Sequence, residues 1–248
     1  MLNESELVPY VCSPLPAGPW LVFAPHPDDE TFGMGGSLLL AAQQGIATHV
    51  VFMTDGAEGG EGDKQALIAK RKEEAQRATK RLGVTSVAFL AEPDRGLKFD
   101  ERVLRRVVDQ FDAAQPASIF FPSVLEFHPD HRVTAQLAWS ALQRRKNLNI
   151  DAYSYEISTH APANFMIDTT EVANIKYELI SIYASQLTQA KYLALVQSLD
   201  TGRTFSLPID RTASEAFFHY EDHSANLNSQ LAKNIQLYFE GLEGPNRI

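Results

Sequence analysis

Short apolar runs alternate with amphipathic segments through the first half of the chain. The runs predict four buried strands, at residues 20–24, 47–53, 86–90 and 118–121. The intervening segments repeat apolar residues at helical spacing and predict helices at residues 35–42, 64–82 and 101–113. Strands that alternate with helices in this way are typical of a parallel sheet. The pattern therefore predicts an α/β fold in which helices cover both faces of a mostly parallel sheet.

The second half of the chain continues with less regular spacing. After Asp130 a helical pattern runs to Leu142, and residues 151–157 alternate like a strand. A helix is predicted at about 170–187, and a second helical stretch follows it to about residue 199. Short strands are predicted at 205–209 and 216–220, and a final helix near 225–239. The chain shows neither a low-complexity linker nor an internal repeat. We therefore expect one domain over residues 1–248, with a core at about 18–145 and a carboxyl-terminal cap at about 150–240.

Polar residues follow four of the predicted strands. These clusters are residues 26–30, 54–55, 92–95 and 126–131. In an open α/β sheet the ligand crevice lies beyond the carboxyl ends of the strands. We therefore expect the four clusters to meet at one edge of the sheet.

Histidine and aspartate dominate two of these clusters. His26 and Asp29 are three residues apart across a predicted strand-to-helix turn, and His128 and His131 repeat that spacing after the fourth strand. Two imidazoles and one carboxylate are the ligand set of a hydrolytic zinc site, and they suit Fe²⁺ as well. A further carboxylate beside the metal could take a proton from water. The residues alone do not decide between Asp28 and Asp29 for that task.

Several short motifs follow one another through roughly the first 135 residues. They are Pro25-His26-Pro27-Asp28-Asp29-Glu30, Gly35-Gly36, Thr54-Asp55-Gly56, Arg71-x-x-Glu74, Leu82-Gly83-Val84 and His128-Pro129-Asp130-His131. In these motifs the chain resembles the PIG-L/LmbE-like zinc-dependent N-deacetylases, whose fold is Rossmann-like. A looser resemblance continues through Tyr155-Glu156, Lys176, Ser185-Gln186 and Glu215-Ala216-Phe217.

The resemblance implies the removal of acetyl from an N-acetylglucosamine-type sugar conjugate. By it, His26, Asp29 and His131 would be zinc ligands, and Asp28 would be the general base. It implies that His128 stays out of the ligand set of the metal and, as an imidazolium, stabilises the oxyanion or protonates the leaving amine.

The resemblance also makes Arg71 and Asp94 candidates for binding substrate hydroxyls. Some family members have a tyrosine two residues before the first histidine of the second motif. This chain has Glu126 there, so that tyrosine's role does not transfer.

Simpler interpretations stand beside these roles. Asp28 or Asp29 could cap a helix, and Asp55 or Asp94 could close a turn. Glu30 could support the site or only favour the first turn of a helix. A metal-dependent hydrolase of another bond, such as an ester, and a noncatalytic sugar-binding module are the alternative functions. A nicotinamide enzyme is disfavoured because the G-x-G-x-x-G spacing is absent.

Charge and composition narrow the classes of partner. The chain carries 22 Lys and Arg against 31 Asp and Glu, a formal net charge of −9, which argues against nucleic-acid binding. One cysteine excludes an intrachain disulfide framework. The sequence has neither a membrane-length apolar run nor a secretory signal pattern. We expect a cytoplasmic enzyme of a small-molecule or glycoconjugate substrate, and its oligomeric state is left open.

Overall fold

A seven-stranded sheet forms the centre of the computed structural model, which describes residues 4–145, 149–237 and 239. The strands are β1 (Trp20–Ala24), β2 (Thr48–Thr54), β3 (Ser86–Glu92), β4 (Ser118–Pro122), β5 (Asp151–Tyr155), β6 (Phe165–Asp168) and β7 (Ser214–Tyr220). Their order across the sheet is β3-β2-β1-β4-β5-β7-β6. The first five in that order are parallel, and β7 is antiparallel to both β5 and β6. The predicted α/β class with a mostly parallel, Rossmann-like sheet is confirmed.

Helices cover both faces of the sheet. They are α1 (Asp29–Gln43), α2 (Lys64–Leu82), α3 (Glu101–Ala114), α4 (Pro129–Gln143), α5 (Ala173–Ile180), α6 (Ala184–Leu187), α7 (Tyr192–Gly202) and α8 (Leu227–Leu237). Alternate residues of β1 belong to different cores, because successive strand side chains point to opposite faces. Trp20 and Val22 pack with α1, α2 and α5, whereas Leu21 and Phe23 pack with α3, α4 and α8. None of the described helices is long and apolar enough to cross a membrane.

Local signals set the helix boundaries. The Asp63 carboxylate accepts hydrogen bonds from the backbone N–H groups of Gln65 and Ala66 and so caps α2. Gly83 ends α2 with a φ of 77°, a left-handed conformation that glycine adopts at little cost. Asp100 caps α3 in the same way as Asp63 caps α2. Helix α1 starts at Asp29, six residues before the predicted start at Gly35, because its first turn is buried.

Two predicted elements differ from the structure, and one observed strand was not predicted. Residues 205–209 form turns and not a strand: Pro208 has no N–H to give a sheet, and Phe205 and Ile209 are exposed. The single helix expected at 170–187 is two helices, α5 and α6, and Tyr183 between them donates its hydroxyl to Glu30. Strand β6 was not predicted, since four residues are too few to show a pattern.

The order of the strands brings the two histidine motifs together. From β1 the chain moves through β2 and β3 to one edge, and from β4 it moves in the other direction. Neighbouring parallel strands that diverge in this way leave a crevice at their carboxyl ends. His26 follows β1 and His128 follows β4, so both motifs lie at that crevice.

A buried ion cluster joins several helices behind this crevice. The Lys176 ammonium on α5 lies 2.8 Å from Asp200 Oδ2 and 2.8 Å from Glu215 Oε1, and its side chain is fully buried. Glu215 also accepts hydrogen bonds of 2.7 Å from the backbone N–H groups of Gly36 and Ser37 in α1. Burial alone would lower the pKa of Lys176, but the two carboxylates raise it above its usual value. The cluster therefore ties α1 to α5, α7 and β7.

Replacement of Lys176 tests the cluster. In Lys176→Met the two carboxylates lose their buried cation, and we expect the free energy of unfolding to fall by about 3–5 kcal/mol in urea denaturation. Arg77→Met, which removes an exposed pair of 3.7 Å with Glu73, should cost less than about 1 kcal/mol. Equal small losses in both variants would contradict a stabilising role for the cluster.

Candidate metal centre

The loops that follow β1 and β4 place three histidines and two aspartates at one end of the sheet. His26, Asp28 and Asp29 connect β1 to α1, and His128 and His131 lie at the start of α4. The three imidazole rings have centroids 4.6–5.2 Å apart. Asp28 has a φ of 156°, a value that non-glycine residues seldom adopt. The side chains predicted from the two motifs are thus brought together.

Three donor atoms in this group form a nearly equilateral triangle. His26 Nδ1 lies 3.1 Å from Asp29 Oδ2 and 3.3 Å from His131 Nε2. His131 Nε2 lies 3.4 Å from Asp29 Oδ2. Tetrahedral zinc with bonds of about 2.0–2.2 Å separates its ligand atoms by roughly 3.3–3.6 Å. The triangle therefore has the size of one face of such a coordination shell.

Two further carboxylates contact the other nitrogen of His26. Its Nε2 lies 3.2 Å from Asp94 Oδ1 and 3.3 Å from Asp130 Oδ2. A proton on Nε2 satisfies these contacts and leaves the Nδ1 lone pair for a metal. Burial lowers the pKa of His26, but hydrogen bonds to Asp130, Asp29 and Asp94 raise it well above its usual value. The surroundings of His26 are thus strongly attractive to positive charge.

His128 lies beside the triangle and has a different environment. One ring nitrogen from each of His26, His128 and His131 lies within 4.8 Å of the other two. A second group is equally close: its ligand atoms, all within 4.8 Å of one another, come from His26, Asp94, His128 and Asp130. However, His128 Nδ1 accepts the backbone N–H of Asp130 at 3.2 Å and caps α4. This contact requires an unprotonated Nδ1 and favours a proton on Nε2. Burial and the neighbouring imidazoles lower the pKa of His128.

Burial affects the two adjacent aspartates differently. It raises the pKa of Asp28 to about 7, although the Arg71 guanidinium opposes the shift. Burial also acts to raise the pKa of Asp29, but the charges and hydrogen bonds of His131 and His26 outweigh it and lower that pKa. Burial lowers the pKa of His131, whereas Asp29 raises it, to about 9. Asp29 is therefore the ionised partner of the imidazoles, and Asp28 holds a proton far more readily.

Arg71 is buried against the site. Its Nη2 donates to Asp28 Oδ2 at 3.0 Å, and its Nη1 donates to the Gly56 carbonyl at 2.9 Å. A Cβ atom built at Gly56 or Gly59 would lie 2.7 or 2.3 Å from Arg71 Nη1, so a larger residue at either position would displace the Arg71 guanidinium. Asp94 is similarly engaged, because its Oδ2 accepts the backbone N–H of Glu58 at 2.9 Å. Arg71 and Asp94 thus lie where substrate could reach them, but they already bind other groups of the site.

A pocket of about 330 Å³ opens onto these residues. Besides the histidines and aspartates, its lining includes Phe32, Phe127, Ile157, Gln186, Tyr192 and Leu195. Phe127 is 70% exposed at the rim, directly before His128. The sequence did not mark these residues as the lining of a pocket, because they lie on separate helices and loops and form no local pattern, and Gln186 belonged only to the looser resemblance. For Phe127, its place next to a motif histidine was the one available signal.

Glu30 and Asp55 lie outside the pocket lining. Burial raises the pKa of Glu30 to about 7, and its Oε1 accepts the hydroxyls of Thr31 and Tyr183. Asp55 accepts the backbone N–H groups of Ala57 at 3.0 Å and Asp94 at 3.2 Å, which is the turn-closing role that the sequence allowed. Glu30 therefore anchors Tyr183 between α5 and α6, and Asp55 holds the loop that carries Asp94.

Comparison with known proteins finds relatives along most of the chain. A family model described as PIG-L: GlcNAc-PI de-N-acetylase matches residues 21–142. The chain is 28% identical over 188 residues to a diacetylchitobiose deacetylase of Thermococcus kodakarensis, covering 68% of this chain and 70% of that protein. It is also 28% identical over 192 residues to a 4-oxalmesaconate hydratase of Pseudomonas putida, covering 67% and 73%.

Among solved structures, the fold is similar to that of N,N'-diacetylchitobiose deacetylase from Pyrococcus horikoshii in complex with its inhibitor MPG. The TM-score is 0.73 at 25% sequence identity, with 81% of this chain and 83% of that chain covered. The similarity extends past residue 142, so the carboxyl-terminal part of the sheet belongs to the shared fold.

The triangle of donor atoms predicts one metal ion per chain. After loading with Zn²⁺ or Fe²⁺ and dialysis, elemental analysis should find one equivalent. His131→Ala should weaken binding by more than about 100-fold, beyond the effect of residues that only support a ligand. His160→Ala, which removes an exposed histidine near Leu199, should keep the ion. Two equivalents per chain, or full retention in His131→Ala, would contradict this site.

Proposed function

This chain belongs to the PIG-L/LmbE-like N-acetylglucosamine deacetylase family, and we propose that it removes the acetyl group from an N-acetylglucosamine-type sugar conjugate. The observation that carries the proposal is the triangle of His26, Asp29 and His131 atoms beside the buried Asp28 in an open pocket. Such a site combines a place for a metal ion with a carboxylate that can exchange a proton. Amide hydrolysis requires both.

The residues fit a zinc or ferrous ion. His26 Nδ1, Asp29 Oδ2 and His131 Nε2 would hold it, and the spacing of these atoms supports the assignment. When bound, such an ion polarises a carbonyl oxygen and makes water a better nucleophile near neutral pH. The carboxylates of Asp94 and Asp130 hold the ring of His26 in the orientation that presents Nδ1.

Asp28 is the proposed general base. Its carboxylate lines the pocket, and Arg71 holds one of its oxygens at 3.0 Å. In the proposed reaction Asp28 takes a proton from the attacking water and then gives it to the nitrogen of the leaving amine. Because an amine is a poor leaving group without that proton, one residue serves both steps.

His128 is the proposed donor to the oxyanion. Its Nδ1 is occupied by the backbone N–H of Asp130, so its proton lies on Nε2. An Nε2–H group can stabilise negative charge that develops on the carbonyl oxygen of the amide. Delivery of the amine proton then falls to Asp28 and not to His128.

The rim of the pocket supports a sugar-sized substrate. Phe127 offers an exposed ring beside His128, and Tyr192 and Gln186 line the pocket as well. Arg71 and Asp94 line the same space, and Arg71 Nε has no hydrogen-bond partner among the described residues. We propose that these two side chains contact substrate hydroxyls while they hold Asp28 and His26.

A hydratase activity is the second candidate, since one relative is named a hydratase and is as similar in sequence as the deacetylase. Both activities use water and a proton-transferring residue. They differ in the product: a deacetylase releases acetate and a free amine, whereas a hydratase releases neither.

A panel of N-acetylglucosamine conjugates tests the proposal. The metal-loaded protein should release acetate and free amine from at least one of them, and a chelated sample should not. Asp28→Asn should lower kcat by about 10²–10⁴-fold and keep the metal, because it removes only the base. Acetate release that persists in Asp28→Asn would rule out this base. No release from any conjugate, with hydration of an unsaturated acid instead, would favour the hydratase.

Removal of the exposed ring at the rim should affect binding more than chemistry. We expect Phe127→Ala to raise KM about tenfold with little change in kcat, since the ring contacts the sugar equally before and during reaction. Phe205→Ala, which removes a ring that is 93% exposed and outside the pocket lining, should change neither constant. A fall in kcat at unchanged KM would contradict a role limited to binding.

A further inference from the structure

Glu126 is a buried carboxylate that the proposed reaction does not use. It lies in the loop between β4 and α4, and it is 1% exposed. Its Oε1 accepts the backbone N–H groups of Ile157 at 2.8 Å and Ser158 at 2.9 Å. One oxygen of Glu126 thus fixes the segment after β5, which also lines the pocket.

The other oxygen of Glu126 faces His131. Glu126 Oε2 lies 3.6 Å from His131 Nδ1, and neither atom has a hydrogen-bond partner among the described residues. Both atoms are buried, and an unpartnered buried polar atom is costly. A shift of roughly 0.5 Å would bring the pair within the ordinary N–H···O range.

The opposite side of the His131 ring determines which nitrogen carries the proton. His131 Nε2 faces His26 Nδ1 at 3.3 Å and Asp29 Oδ2 at 3.4 Å, so it is the nitrogen directed at the proposed metal. A metal ligand must be unprotonated, and the proton of a neutral His131 therefore lies on Nδ1. An ionised carboxylate only accepts hydrogen bonds, and it is the group that best satisfies that N–H.

We infer that Glu126 is the positioning residue for His131: it accepts the Nδ1–H proton and holds the ring so that Nε2 points into the triangle. The inference rests on the ligand set given under the proposed function. It assigns Glu126 a task at the position where some relatives have a tyrosine. The other oxygen of the same carboxylate holds the loop at Ile157 and Ser158.

Glutamine cannot reproduce both sets of contacts. If its carbonyl oxygen accepts from Ile157 and Ser158, its NH₂ group meets the Nδ1–H of His131, and two donors face each other. If the amide is reversed, the NH₂ group meets the two backbone donors. Aspartate keeps the charge and the acceptors but is shorter by one methylene group.

The test compares three variants by metal affinity, which does not depend on any substrate. Glu126→Gln should weaken Zn²⁺ binding by about 10–100-fold in competition with a chelator, and Glu126→Asp should recover part of the loss. Glu74→Gln is the matched control: Glu74 is a buried carboxylate that accepts the backbone N–H of Ser185 at 3.0 Å and contacts no histidine. It should keep the affinity of the unmodified protein.

A spectroscopic signature separates positioning from a general structural effect. In the zinc-loaded protein, ¹⁵N spectra of labelled histidine should show a proton on His131 Nδ1, and Glu126→Gln should shift or lose that signal. Unchanged affinity and an unchanged signal in Glu126→Gln would overturn the inference. Weakened metal binding together with a protein that releases no acetate from any conjugate would retain the inference and reject the deacetylase.

Discussion

Buried carboxylates dominate the end of the sheet where β1 and β4 lie side by side. Six of them lie within the two histidine motifs or next to them: Asp28, Asp29, Glu30, Asp94, Glu126 and Asp130. Among the described residues, Arg71 is the one arginine or lysine whose side chain pairs with this group. A buried charge without a partner is so unfavourable that such groups become neutral, pair or bind a metal. The pKa values of His26 and His131 are raised for the same reason, because the neighbouring carboxylates stabilise the positively charged form of each imidazole.

The carboxylates around the site differ in the histidine nitrogens that they contact. Asp29 lies against two imidazole nitrogens that point inward, whereas Asp94 and Asp130 contact the outward nitrogen of His26. His26 and His131 therefore each have one nitrogen in the triangle and the other directed at a carboxylate. Such contacts set both the tautomer and the orientation of a ligand. Adjacent residues of the chain can thus have different partners: Asp28 pairs with Arg71, and Asp29 contacts His26 and His131.

Much of the fold follows from patterns within short segments. Apolar runs predicted four strands, β1 to β4, close to their observed bounds, because buried strands are largely apolar, and the segments at 151–157 and 216–220 predicted β5 and β7. The hydrogen bond of Tyr183 to Glu30 at the break between α5 and α6 was not predictable, since the two residues are 153 positions apart in sequence. Residues 205–209 show the opposite error, because alternating apolar residues suggested a strand that has no neighbouring edge to pair with.

In the site, too, local features were predictable from the sequence and contacts between distant segments were not. The sequence named the five motif residues that the structure brings together, because their spacing reflects two local turns. It did not reveal that Arg71 is buried against Asp28, since a helix with many charges looks solvated throughout. Nor did it predict the partners of Glu126, because they lie in two separate segments, the start of α4 and the segment after β5. Contacts that join distant segments were thus the least predictable part of the site.

The position of the pocket wall explains how related chains can differ in substrate. The proposed ligands lie on the turns after β1 and β4, where the strands fix the backbone. Phe127 also lies on the turn after β4, whereas Gln186 and Tyr192 come from α6 and α7, farther along the chain. Changes in these segments alter the shape of the pocket and leave the triangle of donor atoms intact. A relative named a deacetylase and one named a hydratase are equally similar to this chain in sequence, at 28% identity. The activity proposed for this chain therefore depends on its own pocket wall and proton-transferring residues and not on the fold.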